Sequence, residues 1–201
     1  MDINAIVDRA KNVVLKPQET LEAAKTEQSS MQDLIMYVAI VAIPTLIGII
    51  IGYGVVGVGA FLAHFRVPIH WAVTWGIMQY VLSIVGVIVF GYVVNMLAPS
   101  FSSRQDRIQA TKLVAYAATP GLLAGILYII PSISFLVFLA GLYGLYILYL
   151  GIPVFMGTPE DKRLIYLIVA IIAYIIIMAV VGGVTSAVMW GMIGPYPGFH
   201  L

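Results

Sequence analysis

Side chains able to do chemistry are few in this chain, and most of them fall in a few short segments. Three histidines occur, His64, His70 and His200, with Arg66 between the first two. Converging imidazoles can hold a metal ion. However, His64 and His70 stand six residues apart across Pro68 and share no helical face, and no carboxylate lies near them, so they read as interfacial residues. The absence of cysteine excludes disulfides, thiolate metal sites and thiol nucleophiles. Ile51-Gly52-Tyr53-Gly54 echoes part of a potassium filter, in which carbonyl oxygens replace an ion's hydration shell. It lacks the preceding Thr-Val and sits inside a continuous apolar block, so close helix packing explains its glycines better. Thr74, Gln79, Ser83 and Asn95, with Tyr143, Tyr146 and Tyr149, could line a polar path, but interhelical hydrogen bonds and interfacial aromatics are the preferred reading. No nucleophile elbow, zinc-protease, Walker or glycine-rich nucleotide motif occurs in a supporting context. No catalytic residue and no cofactor is expected. What remains is two charged clusters, Arg104, Asp106, Arg107 and Lys112, then Glu160, Asp161, Lys162 and Arg163. Read as exposed, they either recognise a partner or merely anchor helix ends and set orientation.

The elements that must position these groups are membrane helices. Hydrophobic residues make up 62% of the chain and charged residues 9%, against roughly 45–50% and about 25% in soluble domains. The apolar excess comes in uncharged blocks, 34–65, 67–103, 113–158 and 164–201, without the period-two alternation of barrel strands. A span needs about 20 residues, so the third block holds two, divided at Pro131-Ser132-Ile133-Ser134, where Pro131 stops one helix and the serines can cap the next. Five spans result, roughly 34–63, 70–97, 108–130, 133–155 and 163–190. Nine of the ten Lys and Arg then fall on one side and Arg66 alone on the other. Because Lys and Arg accumulate in cytoplasmic loops, the N-terminus is expected in the cytoplasm and the C-terminus outside, in the cell membrane. The net charge of +1 gives no reason to expect nucleic acid as a partner.

The expected fold is thus an all-α bundle of five transmembrane helices, 34–190, preceded by a cytoplasmic amphipathic segment, 1–33, and followed by a short tail, 191–201. In the leading segment Ile3, Ile6, Val7, Ala10, Val13 and Val14 recur at helical spacing, opposite Asp2, Asp8, Arg9 and Lys11. That stripe lies either on lipid or on the ends of the other helices. Pro17 begins a second short helix. Ser30 with Asp33 reads as a capping pair before the first span, and Ser103 with Asp106 repeats it before the third. The first block exceeds a bilayer's thickness, so tilt, a break at Pro44 or protrusion must absorb the excess. Gly48 with Gly52 and Gly121 with Gly125 form small-xxx-small pairs that permit close helix packing and self-association into a homo-oligomer.

Ala110-Thr111-Lys112 leads into Ala115-Tyr116-Ala117-Ala118-Thr119-Pro120, then come Ile129-Ile130-Pro131, Tyr146-Ile147-Leu148-Tyr149-Leu150-Gly151-Ile152-Pro153 and finally Gly157-Thr158-Pro159-Glu160-Asp161-Lys162. On these motifs the chain from Ala98 to Arg163 resembles the Yip1 domain family, in its prokaryotic, multi-pass form. Pro17-Gln18-Glu19 extends the likeness to roughly 16–190. Tyr116, Pro120, Pro131, Gly151, Pro153 and Pro159 are the structural positions this resemblance singles out. It implies five spans, a cytoplasmic N-terminus and no enzymatic activity. Eukaryotic members are associated with vesicle trafficking and prenylated GTPases, and this chain lacks their long N-terminal region and Asp-Leu-Tyr-Gly-Pro motif. The function expected is a non-enzymatic scaffold or partner-binding protein in membrane organisation or trafficking, touching membrane lipids and a protein on its cytoplasmic face. The alternative is a passive channel or transporter for a small solute or ion.

Overall fold

A computed structural model describes residues 2–60 and 63–193. Five helical segments are long and apolar enough to cross a membrane, Met31–Val56, Ile69–Phe101, Arg107–Ile129, Pro131–Met156 and Glu160–Val188. The count matches the hydropathy reading, but the first span is shorter than expected. It consists of α3, Met31–Val41, and α4, Ile43–Ile51, joined at Ala42, and it ends in a wide turn of π-helix over Gly52–Val56. Gly57 stops it with a φ of 84°, a conformation open to glycine because it has no Cβ. Two three-residue antiparallel strands, β1, Val58–Ala60, and β2, Ala63–Phe65, follow where the span was expected to continue to residue 63. The step at Ala42 precedes Pro44, which occupies the first turn of α4, where its missing N–H is harmless. His200 and most of the tail 191–201 lie outside the described residues, as does the side chain of His64. His70 is exposed.

The remaining helices are α5, Ile69–Leu97, α6, Arg107–Ala124, α7, Phe135–Met156, and α8, Glu160–Ile193. Each of α5, α6, α7 and α8 packs on two of the others to close a four-helix ring, and α3–α4 lie in the groove outside α5 and α6. The N-terminal helices, α1, Ile3–Leu15, and α2, Pro17–Thr26, form a hairpin laid over this assembly, α1 on α3 and α6, α2 on α7. Of the two readings for the amphipathic stripe, the structure shows packing on the bundle for one face of it. Ile6, Ala10 and Val13 are buried, and with Leu21 and Ala24 they join the core that includes Tyr37, Tyr116, Phe155 and Tyr166. Of the rest of that stripe, Ile3 and Val7 stay exposed and Val14 is half-buried. The core is concentrated at the end that carries the hairpin. Among the described residues of α8 only Tyr166 and Ala170 are buried, while Ile172, Ile175, Ile176 and Val180 further along are exposed.

Capping was legible once and misread once. Ser30 and Asp33 form a reciprocal box, with Ser30 N–H donating to Asp33 Oδ2 at 2.9 Å and Asp33 N–H to Ser30 Oγ at 3.2 Å. Before α6 the expected pairing of Ser103 with Asp106 is not made. Asp106 is itself the N-cap, accepting from Ile108 and Gln109 N–H, while Ser103 Oγ lies 2.7 Å from Thr158 Oγ1. The reason is a 3-10 turn at Ala98–Phe101 followed by Ser102 at a φ of 55°, which turns Ser103 toward the α7–α8 connection. Ser134 stands at the N-cap of α7 without a side-chain cap bond.

The closest helix approach joins α4 to the 3-10 turn that ends the third span, Gly125–Ile129. A Cβ on Gly48 would fall inside the carbonyl oxygen of Gly125, and one on Gly52 inside that of Tyr128. Gly125 in turn faces the Thr45 side chain with no room for a methyl. Gly121 is looser, its nearest neighbour being Gly141 at 3.8 Å.

Candidate functional site at the charged end of the bundle

Helices that break inside a membrane strand carbonyl groups that have no water to turn to, so each needs a donor from elsewhere. This chain supplies those donors from neighbouring helices. Pro153 lies inside α7 and has no N–H, which frees the carbonyl of Tyr149. Arg163 Nε donates to that oxygen at 2.9 Å, and its guanidinium lies 3.7 Å above the Tyr149 ring. Where α5 tightens into 3-10 geometry, Tyr166 OH donates to the carbonyl of Val94. Where α6 does the same, Thr45 Oγ1 donates to that of Leu122 at 2.7 Å.

The same device fastens the N-terminal hairpin. Lys112, read as an exposed loop charge, is fully buried. Its position, four residues beyond Ile108 and one turn into α6, aims it inward beneath the end of α2. Nζ donates to the carbonyls of Ala24 at 3.0 Å and Glu27 at 2.7 Å, and Gln109 Nε2 donates to that of Lys25 at 3.1 Å. A lysine from another helix thus caps the α2 C-terminus, where a cation also suits the helix dipole. Arg9 Nη2 donates to both carboxylate oxygens of Glu27, at 2.6 and 2.8 Å, closing the hairpin on its own end. Burial is the largest single influence and opposes the charge on Arg9, but the bonds to Glu27 together with the attraction of Tyr116, Glu27 and Tyr37 hold its pKa above the ordinary value. Tyr143 OH donates to the carbonyl of Val14 at 2.9 Å, holding the end of α1.

Under this layer Tyr37 OH meets Thr119 Oγ1 at 2.7 Å, and Tyr116 stands edge-on to Tyr37 at 5.3 Å. Tyr116 and Pro120 are buried core of α6, Gly151 packs on Leu113 without space for a side chain, and Pro131 opens the short 3-10 turn before α7. The Pro159 carbonyl accepts Lys162 N–H at 3.1 Å and starts α8. Of the two charged clusters, Arg104, Arg107, Glu160 and Asp161 are exposed. Asp106 is occupied as a cap and pairs with Arg104 at 3.7 Å. Arg107 lies over the Tyr92 ring at 5.4 Å. Lys162 Nζ donates to Ser102 Oγ at 2.7 Å, and Arg104 N–H to the Met156 carbonyl at 2.8 Å, so the α5–α6 and α7–α8 connections form one surface. Lys112 does not belong to that surface, because the hairpin takes its donors, and Arg163 is turned toward α7 through Nε while its Nη1 donates to the exposed Glu160 carboxylate at 3.4 Å. Sequence reasoning missed their roles, although Pro153 four residues after Tyr149 was a visible sign that one carbonyl needed a partner.

These features define a class, an all-α multi-pass membrane protein whose five spans are in contact with lipid. The Yip1 domain model matches residues 11–182, and the chain belongs to that family. No curated protein and no solved structure matches it.

Proposed function

We propose that the chain is a non-enzymatic scaffold that binds a protein partner through the joined α5–α6 and α7–α8 connections, with this end of the bundle and the N-terminus in the cytoplasm. The observation that supports this reading is the division of labour among the charges. Lys112, Arg163, Arg9 and Asp106 are used internally, whereas Arg104, Arg107, Glu160 and Asp161 stand exposed on one surface built from two connections. Orientation rests on the Lys and Arg gathered at this end, nine of the ten in the chain. Three of the polar residues on α5 are satisfied locally, Thr74 Oγ1 on the His70 carbonyl, Ser83 Oγ on that of Tyr80, and Gln79 Oε1 by Thr185 Oγ1 of α8, whereas the buried Oδ1 of Asn95 has no partner among the described residues.

The test is cross-linking in native membranes followed by purification, comparing the natural chain with Arg104→Glu, Arg107→Glu, Glu160→Lys and Asp161→Lys combined. At least one protein captured by the natural chain is expected to be lost from the variant. An identical set of captured proteins at equal yield would overturn the partner site.

A further inference from the structure

A cavity of about 400 Å³ lies between α1 and the first span, and its walls are unlike those of the packed core around it. One wall is Ile40, Val41 and Pro44 with Leu123 of α6; the other is the flank of α1, where the buried Ile6 and Ala10 meet Val7, Val14 and Leu15. The volume is within the roughly 300–1,000 Å³ of ligand pockets. Ile40 and Pro44 stand nine and thirteen residues beyond Met31, about 14 and 20 Å along the helix axis at ~1.5 Å per residue, which is hydrocarbon depth. An occupant there is apolar.

One lining residue is charged. Although the sequence pattern set Lys11 opposite the apolar stripe, it stands in line with Ile3 and Val7 at four-residue spacing, and Leu15 follows four later. Ile3, Val7 and Leu15 are 62%, 53% and 66% exposed, so the lysine interrupts an apolar ridge along the open side of the cavity. Among the described residues Arg9 pairs with Glu27 and Lys16 with Glu19, while Lys11 makes no ion pair. A long lysine side chain lays its methylene stem along apolar surface and carries its ammonium toward the headgroup layer. An apolar cavity at hydrocarbon depth with one free cation at its rim is complementary to a molecule with an apolar tail and an anionic head.

We propose that this cavity binds an acyl chain of one anionic phospholipid, with its headgroup phosphate on Lys11. The lipid would wedge between α1 and the α3–α4 step, adding to the contacts that hold the N-terminal hairpin on the bundle.

Native mass spectrometry of the detergent-purified full chain tests this, using phosphatidylglycerol and phosphatidylcholine with identical acyl chains, and soluble glycerol phosphate as a head without a tail. The expected result is one phosphatidylglycerol bound about fivefold more tightly than phosphatidylcholine, and no retention of glycerol phosphate. Lys11→Glu, an exposed position that leaves the core intact, should erase the preference, and Lys11→Arg should keep it. Val14→Trp, which fills the cavity, should lower the binding of both lipids. Equal affinity for the two lipids in the natural chain, an unchanged preference in Lys11→Glu, retention of glycerol phosphate alone, or a lipid-free dimer in place of the lipid-bound monomer would each overturn the proposal.

Discussion

Replacing Lys112 with methionine should release the N-terminal hairpin while leaving the spans assembled. Methionine keeps an unbranched stem of similar reach and removes only the ammonium, so the change isolates the two hydrogen bonds from Nζ. The carbonyl of Glu27 loses its donor at 2.7 Å; that of Ala24 retains a long 3.3 Å bond from Glu27 N–H and loses the better one at 3.0 Å. Leaving a buried acceptor unpaired costs about 1–3 kcal/mol, and a hydrogen bond from a charged donor contributes about 1.5–3 kcal/mol. The desolvation that a buried ammonium suffers offsets part of this, since it disappears with the charge. The net loss for α2 docking is about 2–4 kcal/mol, equivalent to about 30- to 800-fold in the opening equilibrium. Hydrogen exchange read by mass spectrometry in detergent micelles measures it directly. Peptides covering 17–27 should exchange faster by that factor, whereas a peptide within α8, whose main packing is on α5 and α7, should be unchanged. If peptides 17–27 exchanged within about threefold of the natural rate, the tertiary cap would be worth less than ordinary packing. If all spans accelerated together, Lys112 would instead be holding the whole bundle.

Four further outcomes follow from the same geometry. Gly48→Val should lower the melting temperature by the equivalent of at least about 3 kcal/mol or prevent assembly, because its Cβ meets the backbone of Gly125, which has no side chain to yield; Gly183→Ala, in open space, is the control. Arg163→Lys should cost about 1–2 kcal/mol in chemical unfolding, as a lysine cannot both donate to the Tyr149 carbonyl and stack flat on its ring. Combining it with Pro153→Ala should recover part of that loss, since alanine restores an N–H to the same carbonyl, and additive losses would refute the assignment. Ser30→Ala should destabilise by about 1 kcal/mol through loss of the capping box, detectable as faster exchange at residues 31–35. Reporter fusions should place the two chain ends on opposite sides of the membrane, with the N-terminus cytoplasmic.

The number of spans was legible in the sequence because a bilayer sets a minimum length for an uncharged helix, and no arrangement of neighbours can relax that requirement. The capping box at Ser30 and Asp33 was legible because it is local, complete within four residues. Family membership was likewise written in ordered short motifs between Ala98 and Arg163. The end of the first span at Val56 was not, because apolar residues from Gly57 to Phe65 serve a hairpin as well as a helix. Nor was the true partner of Ser103, which depended on the left-handed turn at Ser102 and on Thr158, fifty-five residues away.

The charged end shows the same division most clearly. Composition and charge placement alone established that Arg104, Arg107, Lys112, Glu160, Asp161 and Arg163 gather at helix ends on one side. Tertiary structure alone decided which of them are drawn inward and which stay exposed. A charge at a helix end looks the same in sequence whether it faces water or a stranded carbonyl, and the difference lies in where a distant helix stops. Because α2 ends above Lys112 and Pro153 opens α7 beside Arg163, those two cations are drawn inward. Arg104, Arg107, Glu160 and Asp161 meet no such acceptor and remain at the surface.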